Sequence, residues 1–237
     1  MLRTTFFIGS VVVLAIVGSY VLLPALLERL VADRLQEQLG LRSAPEVELR
    51  GEPPPRPPGS FSGGSVTARG AEFDGVRPST TVVDLGPFNL DLPASIAAGA
   101  PRSEEPPSGT LRVELPEEEV ARLARREADV PVRSVDLRKG EVVVGSEVRA
   151  LGARVPLSVR GELSFRGGAL RFEPRGLSAA GVPVPDELAD RLLAEAGFEY
   201  IPQGLAYGAE ITGAEVREGR LILNGELERI PLGGGGA

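Results

Sequence analysis

Val155-Pro156-Leu157-Ser158-Val159-Arg160-Gly161-Glu162-Leu163-Ser164-Phe165-Arg166, then Gly167-Gly168 and Ala169-Leu170-Arg171-Phe172, sets the architecture of this chain. The odd positions up to Phe165 are apolar or glycine, and the even ones read Pro, Ser, Arg, Glu, Ser and Arg. A period of two over so many residues is a long strand with one apolar face. A two-residue turn at Gly167-Gly168 puts Phe165 opposite Leu170 and Leu163 opposite Phe172, so both strands turn their apolar rows the same way.

Two further hairpins pass the same register test. With Lys139-Gly140 as the turn, Leu137 falls opposite Val142 and Val135 opposite Val144; with Glu218-Gly219, Val216 meets Leu221 and Ala214 meets Leu223. Glycine is second in each pair, as a type I′ turn prefers. Weaker strand patterns occupy Val47–Arg50, Ser65–Phe73, Thr80–Leu85, Phe88–Leu92 and Thr110–Leu115. Helical patterns cover Glu117–Ala128, acidic in its first turn and basic (Arg125, Arg126) in its last, and Asp186–Ala196, stopped by Gly197. The expected class is α+β, with long antiparallel strands and a few helices on one face.

Upstream, no charge occurs from Thr4 to Leu27. As a helix this run extends ~36 Å, enough for a hydrocarbon core of about 30 Å. A signal peptide would share the basic start at Arg3. It needs a shorter apolar centre, though, and a cleavage site after it, whereas Ala15 and Gly18-Ser19 lie inside the run. An uncleaved anchor is therefore expected, with Arg3 on the cytoplasmic side, although Arg29 and Arg34 dilute the charge asymmetry. Leu26, Leu27, Leu30, Val31, Leu35 and Leu39 then recur at helical spacing, closed by Gly40. Pro53–Pro58 favours a stiff polyproline segment, and Pro101–Ser108 interrupts the chain again. The expected organisation is an anchor over 1–24, a domain over 25–232 and a disordered glycine tail over 233–237, with the domain on the extracytoplasmic side of the cell membrane.

Acidic residues number 33 against 26 basic, a net charge of −7. Without a basic surplus the chain is not expected to bind nucleic acid, and any contact with lipid must be apolar or local. There is no His and no Cys, so the commonest general base, the thiolate nucleophile and the usual zinc ligands are all missing. Gly59-Ser60-Phe61-Ser62-Gly63 has Phe where a nucleophile elbow needs Ser. No phosphate loop or dinucleotide fingerprint occurs, and no cofactor, metal or catalytic residue is expected.

Glu117-Glu118-Glu119 reads as helix-dipole complement and Glu104-Glu105 as solvated loop charge, rather than as cation ligands. Arg122, Arg125 and Arg126 form either a solvated helix end or a phosphate-headgroup site, since guanidinium binds phosphate bidentately. The apolar rows form either a filled core or the lining of a lipid-binding interior. The candidate lining residues are Leu30, Leu35, Val142, Val144, Leu157, Val159, Leu163, Phe165, Leu170, Phe172, Leu221 and Leu223.

Phe61-Ser62-Gly63 with Val66-Thr67-Ala68-Arg69-Gly70, Asp74-Gly75, the strands from Thr80 to Leu92, Ile201-Pro202-Gln203-Gly204-Leu205, Ile211-Thr212, Val216, Gly219-Arg220-Leu221 and Gly225 follow one another in a familiar order. In this the chain resembles the LmeA-like family of actinobacterial envelope phospholipid-binding proteins. The resemblance covers nearly all of the exported part, and the chain departs from the family at Pro53–Pro58. It implies a tubular lipid-binding (TULIP-like) fold, in which long curved antiparallel strands wrap a long amphipathic helix. It also implies a non-enzymatic protein with phospholipid or another acyl-chain lipid as partner, serving envelope lipid or lipoglycan maintenance. The competing expectation is an envelope protein-interaction module with a filled core, binding through a sheet edge or the Pro-rich segment; its protein partners are unknown.

Overall fold

In a computed structural model the described residues are 28–230, other than 30, 34–35, 37–40, 42, 53–55, 57–58, 73–74, 99–100, 129–130, 151–152, 186–188, 190–192, 194–196 and 203–207. The apolar run Thr4–Leu27, Leu30, Leu35 and Leu39, most of Pro53–Pro58, most of the helix expected at Asp186–Ala196 and the tail Gly233–Gly236 lie outside them. Among the described residues no helix is long and apolar enough to cross a membrane. Glu28, Arg29, Val31, Ala32, Asp33 and Gln36 are helical, with Val31 buried and Arg29 exposed, as the amphipathic pattern predicts.

The chain divides into two compact units, each built from separated segments. The first takes the described residues up to Arg69, Val82–Thr110 and the stretch from Leu227. Its strands are β1 (Glu46–Gly51), β2 (Ser60–Ala68), β3 (Thr80–Leu85, of which Val82–Leu85 belong here) and β4 (Phe88–Asn89), and its helix is α1 (Leu92–Ala98). β2 pairs antiparallel with β1 and, at its start, with β4, and Phe61 stacks on Phe88 at 4.9 Å. Gly63, at φ 141°, is forced: a Cβ there would stand 2.6 Å from the Leu85 carbonyl oxygen. The Glu28 carboxylate accepts the Leu49 N–H at 2.9 Å, tying the N-terminal helical residues to β1. α1 replaces the end of the strand expected over Phe88–Leu92. Asp91 caps it, its Oδ1 accepting the Ala94 N–H at 2.9 Å.

The second unit holds Gly70–Thr81 and Leu111–Glu226. β5 (Gly109–Pro116, from Leu111 on), β13 (Arg220–Leu227, as far as Glu226) and β12 (Glu210–Arg217) lie side by side in that order. β6 (Ser134–Arg138), β7 (Glu141–Ala150), β8 (Ala153–Arg166), β9 (Ala169–Ala179) and β10 (Val182–Pro183) form an antiparallel sheet, with β11 (Phe198–Tyr200) also on β9. All three hairpin registers follow the glycine turns: Leu137↔Val142, Val135↔Val144, Leu163↔Phe172, Phe165↔Leu170, Val216↔Leu221 and Ala214↔Leu223.

The turn chemistry differs in part. Gly167-Gly168 has both φ angles positive, the type I′ signature, whereas at Lys139-Gly140 and Glu218-Gly219 only the glycine is left-handed. A further hairpin turns at Ala180-Gly181, with φ 49° and 82°.

Apolar residues line up across the sheet as Val135–Val144–Val159–Leu177, as Leu163–Phe172–Phe198 and as Phe165–Leu170–Tyr200. Against the sheet lie β12 and the helix α2 (Glu117–Glu127), which packs on β6 and β11 and buries Val120, Leu123 and Ala124. Arg175 is an extra residue in β9: Arg160 pairs with Gly176 but Gly161 with Pro174. That bulge switches the inward row of β9 from Leu170 and Phe172 to Leu177.

Candidate functional site

Two features of the second unit meet along one wall. The first is an apolar cavity of about 20 Å³ between α2 and the sheet, bounded by Ala124, Ala128, Val132, Val144, Ser146, Val159, Phe172 and Phe198. Alternation places Val144, Val159 and Phe172 on the inner face, and Phe198 stacks on Phe172 at 5.7 Å. The second is an open groove of about 410 Å³ beside α2, lined by Glu117, Glu118, Ala121, Arg122, Arg125, Arg133, Ser134 and Val135.

The shared wall is Pro131-Val132-Arg133. Val132 faces the cavity and Arg133 the groove. The segment is pinned by four hydrogen bonds. Arg125 donates from Nε to the Val132 carbonyl (3.2 Å) and from Nη2 to the Arg133 carbonyl (3.0 Å). Ser146 Oγ donates to the Pro131 carbonyl at 2.6 Å, and the Arg133 N–H to the Gly145 carbonyl at 2.8 Å.

The groove is rich in charge and most of it is engaged. Arg122 pairs with Glu119 at 2.8 Å and Arg133 with Glu147 at 2.5 Å, yet both side chains are more than half exposed. A guanidinium carries five N–H donors, so these pairs leave donors facing the groove for an anion. Glu117 and Glu119 do more than complement the helix dipole. Glu117 accepts the Leu137 N–H at 2.8 Å, and the buried Glu119 accepts the Arg77 N–H at 3.2 Å.

Of the expected headgroup residues, Arg122 and Arg125 come together in the groove. Arg126 does not line it: its guanidinium pairs with Glu127 at 2.7 Å and sits over the Tyr200 ring at 5.5 Å. Of the expected lining residues, Val144, Val159 and Phe172 bound the cavity. Val142, Leu163, Leu170, Leu221 and Leu223 are buried elsewhere, Leu157 and Phe165 are half-buried, and Leu30 and Leu35 lie outside the described residues. Arg133 and Val132 escaped the sequence reading because they stand in a connection with no periodicity. Phe198 carried a signal, since Phe198-Glu199-Tyr200 alternates like the other strands.

No curated protein and no solved structure matches the chain. The profile of a family described as LmeA-like phospholipid-binding matches residues 18–226, nearly the full length, and includes every residue of the cavity and groove. The family is one of lipid-binding domains and is not known as an enzyme family. The chain belongs to the LmeA-like phospholipid-binding family.

Proposed function

We propose that this protein binds a phospholipid, with an acyl chain in the apolar layer between α2 and the β6–β9 sheet and the phosphate in the groove at Arg122, Arg125 and Arg133. The observation that carries the reading is the shared wall: an apolar cavity and an arginine-lined groove lie back to back across Val132-Arg133 in a member of a phospholipid-binding family. A ligand with an apolar tail and an anionic head needs that adjacency. The protein would act from the extracytoplasmic side, held by an N-terminal apolar helix, in the upkeep of envelope lipid or lipoglycan.

A cavity of about 20 Å³ holds roughly one water, whereas ligand pockets run to about 300–1,000 Å³. Binding therefore requires the Pro131–Arg133 wall to part from the sheet. Each buried CH₂ would then return about 0.8 kcal/mol. The smallness of the cavity is what favours the alternative, a filled core in a protein-interaction module. Against its sheet-edge form stands Leu137 on the outer strand β6, whose N–H is taken by Glu117 and whose carbonyl accepts the Gly219 N–H at 2.9 Å.

Native mass spectrometry of the full chain purified from bacterial membranes should show near-stoichiometric phospholipid. Val159→Trp should lower its uptake of a fluorescent phospholipid at a stability cost of about 1 kcal/mol or less, because a layer that parts for an acyl chain also parts for an indole. A filled core predicts a parent without lipid and a loss of about 1 to 3 kcal/mol from overpacking.

A further inference from the structure

The two ends of the β7–β8–β9 sheet differ in chemistry. At one end stand the Lys139-Gly140 and Gly167-Gly168 turns, flanked by Arg138, Glu141 and Arg166. At the other, the β9–β10 hairpin turns at Ala180-Gly181, packed beside β8 through an Ala180 N–H to Pro156 carbonyl bond of 2.9 Å. From Gly176 to Pro185 there is no charged residue. Val182 is 66% exposed, the largest exposure among the exposed large hydrophobics, and Ala180, Gly181 and Pro183 are exposed around it. Ala180 has the one left-handed non-glycine backbone among the described residues. Among the described residues the other large exposed apolar side chain, Ile201, stands singly at the far end of β9, between Tyr200 and Pro202, and such isolated residues are ordinary.

Exposed charge beside the hairpin is mostly basic, since Glu147, opposite Pro156, keeps only 17% of its side chain exposed. Val148–Arg160 and Pro174–Pro185 carry Arg149, Arg154, Arg160 and Arg175 and not one acidic residue, in a chain of net charge −7. Arg154 pairs with the Glu147 carboxylate and Arg175 with that of Glu162, but both arginines keep more than 60% of their side chains exposed. A partner strand is a poor occupant, because Pro183 and Pro185 offer no N–H to a ladder.

We propose that the Ala180–Pro183 tip is a membrane-docking element: Val182 and its neighbours enter the interface of an anionic bilayer while the arginines of β8 and β9 meet its phosphates. This goes beyond the lipid-binding reading and rests on it only for the reason the chain meets a bilayer.

The chain has no Cys, so Val182→Cys and Lys139→Cys each create a single labelling site, one at each end of the sheet. The full chain, labelled with an environment-sensitive dye, is reconstituted into vesicles of equimolar phosphatidylcholine and phosphatidylglycerol containing doxyl-labelled lipid. Quenching several-fold stronger at position 182 than at 139, and weakened by Arg154→Glu with Arg160→Glu, is the expected result. Equal quenching at both positions, or none at 182, overturns the proposal. Native mass spectrometry of the same preparation reads bound phospholipid separately. Lipid present without contact at 182 removes the docking role alone. Contact at 182 without bound lipid supports docking and removes the carrier reading.

Discussion

Glu119 shows how much one carboxylate can hold. Its side chain is 8% exposed, pairs with Arg122 and accepts the Arg77 N–H, so it joins α2 to the Gly70–Thr81 segment. Glu119→Leu keeps the volume but leaves that N–H without its acceptor and should cost about 1 to 3 kcal/mol in urea denaturation. Glu215 is the opposite case, exposed beside Arg217, whose guanidinium hydrogen bond holds its carboxyl below the ordinary glutamate value. A lowered folded-state value means the contribution is present above the ordinary value and is lost as pH falls through the folded one. Solvent screening keeps it small. An NMR titration should place the Glu215 midpoint below that of a free glutamate, and Arg217→Ala should return it. The sequence showed the Glu117–Glu119 cluster and its dipole role. It could not show that Glu117 and Glu119 turn inward, because their partners, the N–H groups of Leu137 and Arg77, are supplied by distant segments.

Among the elements, the hairpins were legible because a two-residue turn and a period of two fix register together: once Gly167-Gly168 is placed, Leu163 can face only Phe172. The bulge at Arg175 was not legible. It breaks the period inside β9, which puts Leu177 out of phase with Leu170 and Phe172 although it is buried on the same face as Val159. Gly161 compensates for this crowding, since a Cβ there would stand 2.7 Å from the Phe172 ring and closer still to the Glu173 carbonyl. Gly161→Ala should therefore push β8 from β9, lower the melting temperature by several degrees and speed amide exchange at Leu163 and Phe172. A melting temperature equal to the parent's would mean that the two strands part freely. α1 was missed because Leu92–Ala98 is short and apolar; its one local signal, the Asp91 cap, looks like any loop aspartate.

At the scale of the molecule, the class and the family were both readable from the order of strands, turns and glycines, whereas the division into two units was not, since each gathers segments far apart in sequence. The uncharged run Thr4–Leu27 still predicts where the protein lives. The chain should stay with the membrane fraction after an alkaline wash and be open to protease on intact cells, and a soluble, N-terminally trimmed product would restore the signal-peptide reading. One feature of the first unit also bears on biogenesis. Among the described residues its last buried side chains are Leu227 and Ile230, and the Ile230 N–H reaches the Pro107 carbonyl at 2.8 Å. A unit that opens before Arg69 and closes at Ile230 cannot finish while the ribosome is still making its middle. A nascent chain therefore leaves the ribosome with the earlier segments of this unit still unpartnered, and the unit closes only once its final strand end has been made.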